Sequence, residues 1–366
     1  MPADIPATMA AVLLTGHGGI EMLEYREDVP VPLPGPGEVL IRVGGAGVNN
    51  TDINTRTGWY SKAVTGDTES GGAAGFDQVD DADASWSGVP LSFPRIQGAD
   101  CCGRIVGAGS GVDPARIGER VIVRTMQRHS VRERAFATTT LGSEFDGAFA
   151  QYMKTPSPEA YRVECDWSDV ELASMPCACS TAENMLHRSG CKAERVLITG
   201  ASGGVGSAAV QLAKRRGAKV IALSGAAKAR DVKALGADRV IDRGADLVAE
   251  IGRDAVDLVV DLVAGPGWPQ LLEVLRVGGR YVTSGAIAGP LVELDVRTLY
   301  LKDLTFFGCT YQDDAVFENL VLYIERGEIR PLVARSYPLR NIAEAQGDFL
   351  AKRFTGKLVL IPPGGA

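Results

Sequence analysis

Between residues 195 and 224 the chain reads Arg-Val-Leu-Ile-Thr-Gly-Ala-Ser-Gly-Gly-Val-Gly-Ser-Ala-Ala-Val-Gln-Leu-Ala-Lys-Arg-Arg-Gly-Ala-Lys-Val-Ile-Ala-Leu-Ser. The apolar run Val196 to Thr199 predicts a buried strand that breaks into a glycine-rich turn. That turn opens a helix whose apolar positions Val205, Ala208, Ala209, Leu212 and Ala213 recur at helical spacing. A second apolar run, Val220 to Leu223, follows. Strand, glycine turn, helix and strand in about 30 residues make a βαβ unit of the dinucleotide-binding kind. Ser202, Gly203, Gly204 and Val205 fall where backbone N–H groups approach a pyrophosphate at the positive end of the helix dipole. Gly206 lets the helix pack closely on the strand. One departure stands out: Ala201 occupies the place of the first glycine of the usual fingerprint.

A length of 366 residues, with 44 glycines and 45% hydrophobic residues, fits a turn-rich α/β protein of two domains. The net charge of −7 gives nucleic-acid binding little electrostatic support. No apolar run is long enough to span a bilayer, and the N-terminus lacks the basic start and apolar core of a signal peptide. Seven cysteines at irregular spacing (101, 102, 165, 177, 179, 191 and 309) argue for reduced thiols. The expectation is a cytoplasmic protein acting on a small molecule, with no membrane or nucleic-acid partner.

Before residue 150 the strand signals are short and separated by turns: Ala10 to Leu14, Glu38 to Val43, Gly103 to Val106 and Val121 to Val123. This predicts a barrel-like β domain. Thr65 to Gly88, rich in Gly, Ala, Asp and Ser, reads instead as an extended surface loop or mobile flap. From Trp167 onward helices and strands alternate. A helix is predicted over 171–186, interrupted near Pro176, and strands at 240–241, 258–261 and 281–284. These predict a doubly wound parallel sheet. A helix over 341–351 and a strand over 357–361 close the chain.

The order of motifs resembles the medium-chain dehydrogenase/reductase superfamily over nearly the whole chain. The resemblance is carried by Pro-Gly-Pro-Gly-Glu-Val-Leu-Ile-Arg-Val at 34–43, Gly-Ala-Gly-Val-Asn-Asn-Thr-Asp at 45–52 and Gly-Ala-Asp-Cys-Cys-Gly-Arg-Ile-Val at 98–106. Gly-Glu-Arg-Val at 118–121, Gly-Ala-Phe-Ala-Gln-Tyr at 147–152, the glycine turn, Leu-Gly-Ala-Asp at 235–238, Gly-Gly-Arg-Tyr-Val at 278–282 and Thr-Gly-Lys-Leu-Val-Leu at 355–360 complete it. It implies a GroES-like barrel over 1–166, carrying the flap, a Rossmann domain over 167–311, and a return to the barrel over 312–366, with the active site in the cleft between them. Zinc members place Cys-His where this chain has Asn49-Asn50, His-Glu where it has Ala99-Asp100, and a third ligand at Cys177. A catalytic zinc needs three N, S or carboxylate ligands, and Asn49 and Ala99 supply none. The four-cysteine structural zinc lobe is also absent from 124–145. The chain reads as zinc-free, like the quinone-oxidoreductase branch of the family, in which Asn at the position of Asn49 is common.

The second strand of the βαβ unit ends at Ser224 without the acid that would bind an NAD ribose, and Lys228 and Arg230 follow. This points to NADPH. By resemblance, Thr181, Ser284, Gly285, Phe307 and Gly308 lie toward the nicotinamide, and Lys357 toward the cofactor phosphates. Asn49 is expected to orient the nicotinamide ribose or the acceptor oxygen, and Tyr60 is the candidate proton donor. Asp52 reads as a helix cap and Cys177 as a small buried thiol. The expected function is NADPH-dependent reduction of a quinone or α,β-unsaturated carbonyl. The alternatives are an enoyl-thioester reductase, a zinc alcohol dehydrogenase with unusual ligands, and a cofactor-binding protein without turnover. Relatives pair the edges of their Rossmann sheets, so Leu304 to Cys309 predicts a homodimer.

Overall fold

The computed structural model describes residues 5–365. The chain divides into two compact units. One comprises the residues through Val64, Gly71–Cys177 and the residues from Pro331; the other comprises Thr65–Ser70 and Ala178–Arg330.

The second unit is built on six parallel strands: Arg195–Ile198, Lys219–Ser224, Arg239–Asp242, Val256–Asp261, Leu275–Thr283 and Thr305–Gly308. Across the sheet they run third, second, first, fourth, fifth, sixth, the doubly wound order whose switch point adjoins the first strand. Strands covered on both faces read as continuous apolar runs; Val196, Leu197, Ile198, Leu258, Val259 and Val260 are all fully buried. The helix Gly204–Arg215 turns Ala208, Ala209, Val210, Leu212 and Ala213 inward. Its start depends on glycine. Gly200 holds φ +58°, and a Cβ on Gly206 would lie 2.2 Å from the Gly200 carbonyl oxygen. The left-handed residue of the turn is therefore Gly200, one place before Ala201, which accounts for the departure from the usual glycine spacing.

In the first unit a seven-stranded sheet contains Glu38–Gly47 at its centre, flanked by Cys102–Ala108 and Lys357–Ile361 and also paired with Tyr152–Pro156. Thr8–Leu14 joins Leu23–Pro30 and Arg95–Ile96 in a smaller sheet. Met9, Val12, Leu40, Ile41, Ile105, Val121, Phe149, Leu358 and Leu360 belong to one buried core. The C-terminal strand thus completes the sheet begun at the other end of the chain.

One sequence expectation holds with sharper bounds and another changes. The interruption expected near Pro176 divides the helix over 171–186 into Asp169–Leu172 and Pro176–Arg188. Pro176 lacks an N–H and fits the first helical position, not an interior one. The segment over 65–88 is no free flap. Within the second unit the Thr68 N–H donates to the Ile287 carbonyl (3.1 Å). Within the first unit Arg56 donates to the Gly72 carbonyl (2.7 Å), the Asp80 N–H to Ser61 Oγ (3.0 Å) and Ser87 Oγ to Glu144 (2.8 Å).

The glycine geometry separates two substitutions. Gly206→Ala places a methyl group against backbone and is expected to destabilise the protein by about 1–3 kcal/mol. The ordinary effect of Gly to Ala inside a helix is the reverse. At Gly203 the nearest atom to a Cβ is 3.4 Å away, so Gly203→Ala is expected to stay within about 0.5 kcal/mol of wild type. Urea unfolding of the two variants checks the contrast.

Candidate active site

Parallel strands end on one edge of their sheet, so Thr199, Ser224, Asp261, Thr283 and Gly308 mark a common edge of the second unit. There the helix Gly204–Arg215 starts after Gly203 with no side-chain cap, leaving its first-turn N–H groups for an anion. Gly203 is exposed, and Ser202, Gly204 and Val205 are half-buried around it. One strand over, Ser224 is buried, and its carbonyl accepts the Arg243 N–H (3.1 Å). Burial holds the Lys228 ammonium below the ordinary lysine range; the Arg243 charge lowers it further, and Asp231 opposes both. Two cations therefore approach the end of the second strand. Arg243 was missed in the sequence because it follows the third strand, and only the pairing of Ser224 with Asp242 brings it alongside.

At the other end of this edge, Ser284 Oγ donates to the Cys309 carbonyl (2.6 Å), and the Cys309 N–H to the Thr283 carbonyl (2.9 Å). The ends of the fifth and sixth strands, carrying Ser284, Gly285, Phe307 and Gly308, are thereby stitched together. Thr181 is half-buried on the helix Pro176–Arg188. Its neighbour Ser180 accepts from Gln312 Nε2 (3.1 Å).

The first unit holds a second cluster. The helix Asn50–Thr57 is capped as expected: the Asn49 N–H donates to Asp52 Oδ2 (2.8 Å), while Asp52 Oδ1 accepts from the Ala99 N–H (3.2 Å). Burial raises the Asp52 carboxyl to about 7, against the pull of these bonds and of Lys357. Asn49 Nδ2 donates to Asp100 Oδ2 (2.8 Å) and to the Gly47 carbonyl (3.3 Å). Lys357 Nζ donates to Asp100 Oδ2 (2.8 Å), to the Val48 carbonyl (2.9 Å) and to Asn49 Oδ1. Asp100 Oδ1 accepts the Cys177 N–H (2.6 Å).

These bonds correct two expectations. Lys357 has three donors and spends all of them inside the first unit, so it is not placed to hold a cofactor phosphate. Asn49 has both amide N–H bonds committed to protein acceptors, so it is not placed to donate to an acceptor oxygen. Tyr60 donates to Thr51 Oγ1 (3.1 Å) and packs edge-on against Trp59 and Trp86. Burial pushes its phenol well above the ordinary value, which makes it a weaker acid than a free phenol. Thr51, three residues beyond the Gly-Val dipeptide at 47–48, is a hydroxyl that the sequence reading passed over.

The chain matches the model of the alcohol dehydrogenase GroES-like domain over residues 35–164 and that of zinc-binding dehydrogenases over 204–326. A protein of Sinorhizobium meliloti 1021, provisionally labelled an alcohol dehydrogenase, shares 45% identity in its solved structure, with a TM-score of 0.86 and 98% of both chains covered. The chain belongs to the medium-chain dehydrogenase/reductase superfamily. Acryloyl-coenzyme A reductase of Metallosphaera sedula is 29% identical, covering 96% of this chain and 99% of the relative. Quinone oxidoreductase of Lama guanicoe is 28% identical, covering 96% and 97%. Two of the superfamily's features, the GroES-like domain and the Rossmann sheet, are thus present in full, and the chain is an oxidoreductase of this family.

The zinc of the family model does not fit these residues. Asn49 and Ala99 carry no ligating group, and Asp100 already accepts three hydrogen bonds. Burial, reinforced by the Asp100 charge, raises the Cys177 thiol well above its ordinary value. The Lys357 ammonium would repel a divalent ion. Among the described residues no group of three or more His, Cys, Asp or Glu is gathered as a metal site.

Asp52 provides a test by pH. Its folded value lies above the ordinary 3.8, so the stability it contributes is full below about 4 and is lost as pH rises through about 7. Unfolding free energies of wild type and Asp52→Asn, measured from pH 4 to 8, are expected to differ in slope, the variant lacking this decline. Parallel profiles contradict the assignment.

Proposed function

We infer that the chain is a zinc-independent, NADPH-dependent oxidoreductase that transfers hydride to a quinone or an α,β-unsaturated carbonyl. The observation that carries this reading is the closed Asn49–Asp100–Lys357 network, in which an internally neutralised ion pair binds Asn49, the residue that stands where zinc members have a ligand. Reduction of a simple ketone builds charge on one oxygen and gains most from a Lewis acid. A conjugated acceptor takes hydride at carbon and spreads the charge, so neutral hydrogen-bond donors suffice.

When bound, NADPH supplies the hydride. The first-turn amides at Gly204 and Val205, with Ser202 and Gly203, hold the pyrophosphate. Ser224, Lys228 and Arg243 hold the 2′-phosphate, where a carboxylate would reject it. Ser284, Gly285, Phe307 and Gly308, with Thr181, line the nicotinamide side. In the first unit the Thr51 hydroxyl would pass a proton to the acceptor and take the Tyr60 proton in its place. The Metallosphaera sedula relative, whose name specifies an unsaturated thioester, favours a second reading in which the enone is carried on coenzyme A.

The names of the Metallosphaera sedula and Lama guanicoe relatives specify conjugated acceptors, and the test is an acceptor panel read by NADPH oxidation. Turnover is expected with small quinones, enones or enoyl thioesters, and background rates with acetone, or with ethanol and cyclohexanol in the oxidative direction. Efficient turnover of the simple alcohols by metal-free protein contradicts the proposal.

Lys228→Ala and Arg243→Ala are each expected to weaken NADPH by about 1–3 kcal/mol and to spare NADH, as lost charge-assisted hydrogen bonds do. Equal losses for both cofactors remove the 2′-phosphate role. We also propose a cytoplasmic homodimer. The strand Thr305–Gly308 is an open sheet edge, and Val296, Tyr300 and Leu301 just before it are exposed. A monomer by light scattering at micromolar concentration contradicts the dimer.

A further inference from the structure

Asp261 ends the fourth strand of the parallel sheet and is fully buried. Its carboxylate collects donors from the two neighbouring strands and from the loop that follows its own strand. Thr199 Oγ1 donates to its Oδ1 (2.6 Å), and Tyr281 OH to its Oδ2 (2.7 Å). The backbone N–H groups of Val263 (3.0 Å) and Ala264 (3.2 Å to Oδ2) point at the same carboxylate. The Leu262 N–H closes a ring by donating to Thr199 Oγ1 (2.9 Å). A carboxylate held by this many donors pays its desolvation only while each stays in place.

The loop that Asp261 gathers is strained and tightly bracketed. Ala264 adopts φ +53° and ψ −136°, a conformation disfavoured for a residue with a Cβ. On one side, a Cβ on Gly200 would lie 3.3 Å from Val263. On the other, the Ala288 N–H donates to the Val263 carbonyl (2.9 Å), and a Cβ on Gly265 would lie 2.5 Å from the Ala288 carbonyl. The loop 262–265 is therefore a spacer between the glycine turn that begins at Gly200 and the segment 284–289.

We propose that Asp261 is the positioning residue of this edge: through Thr199 it sets the glycine turn that receives the pyrophosphate, and through Val263 and Ala264 it sets the segment that faces the nicotinamide. The role rests on the reading of this unit as an NADPH site. It is directional, because Asp261 ties the first, fourth and fifth strands and makes no bond to the second and third, which carry Ser224, Lys228 and Arg243. Disturbing the carboxylate loosens the pyrophosphate and nicotinamide contacts and leaves the 2′-phosphate end intact.

Thr199→Val removes the hydroxyl without changing side-chain shape, and Thr199→Ser retains it. Dissociation constants are measured for NADPH and for 2′-AMP, a fragment limited to the adenosine 2′-phosphate end, with thermal melts run beside them. Thr199→Val is expected to weaken NADPH about tenfold, the worth of a hydrogen bond to a buried charge, and to leave 2′-AMP within about twofold. Thr199→Ser restores the NADPH affinity. Should Thr199→Val not fold, Tyr281→Phe, which removes a donor from the other carboxylate oxygen, reads the same contrast. Equal weakening of both ligands, no weakening of either, or a Thr199→Ser variant as weak as Thr199→Val overturns the positioning role. Wild-type protein that binds 2′-AMP and NADPH no better than background overturns the NADPH site and the positioning role together.

Discussion

The ion pair between Lys357 and Asp100 joins the last strand of the chain to the loop before Cys102–Ala108, with both side chains out of water. Removing a charge from water costs several kcal/mol per ion, and the attraction between partners repays this only when every remaining donor and acceptor is satisfied. Here they are. The ammonium meets Val48, Asn49 and Asp100, and the carboxylate meets Lys357, Asn49 and the Cys177 N–H. The last contact sets a negative charge at the start of the helix Pro176–Arg188, where the helix dipole favours it. Four segments distant in sequence are thus held by one buried pair, and loss of either charge would strand the other.

The same pair decides the chemistry open to the first unit. A cation is already fixed beside Asn49 and Cys177, and its charge is spent on Asp100. Asn49 is held in one orientation with its N–H bonds consumed. In the same segment the hydroxyls of Thr51 and Tyr60 are neutral. Neutral groups of this kind suit an acceptor that disperses its own charge. In the second unit the logic is complementary: uncapped helix amides and the Lys228–Arg243 pair supply fixed positive potential for an anionic cofactor.

The second unit was legible in the sequence because its signals are local. The apolar runs around Val196 and Val220, the glycines at 203–206 and Ser224 in place of an acid each report on residues within one turn or strand. The closing strand 357–361 was legible for the same reason. What was not legible depends on residues brought together by the fold. Lys357 follows a glycine in a position that suggests a phosphate contact, yet its ammonium is captured by Asp100 and Asn49, more distant in sequence than any pattern window. Arg243 was missed because its neighbour Lys228 lies across a strand pairing. The segment 65–88 has the composition of a mobile loop, but composition carries no sign that Arg56 would be buried and would bind Gly72. Asn49 stands out in the sequence, and only the fold reveals that its side chain is bound to Asp100, Gly47 and Lys357.

The central claim is that the first unit works through its own neutral donors beside the Lys357–Asp100 pair. Single-turnover stopped-flow oxidation of bound NADPH by an enone or quinone, before and after exhaustive chelation and again after stoichiometric zinc, tests it most directly. The account predicts one rate in all three samples. A rate abolished by chelation and restored by one equivalent of zinc would contradict it.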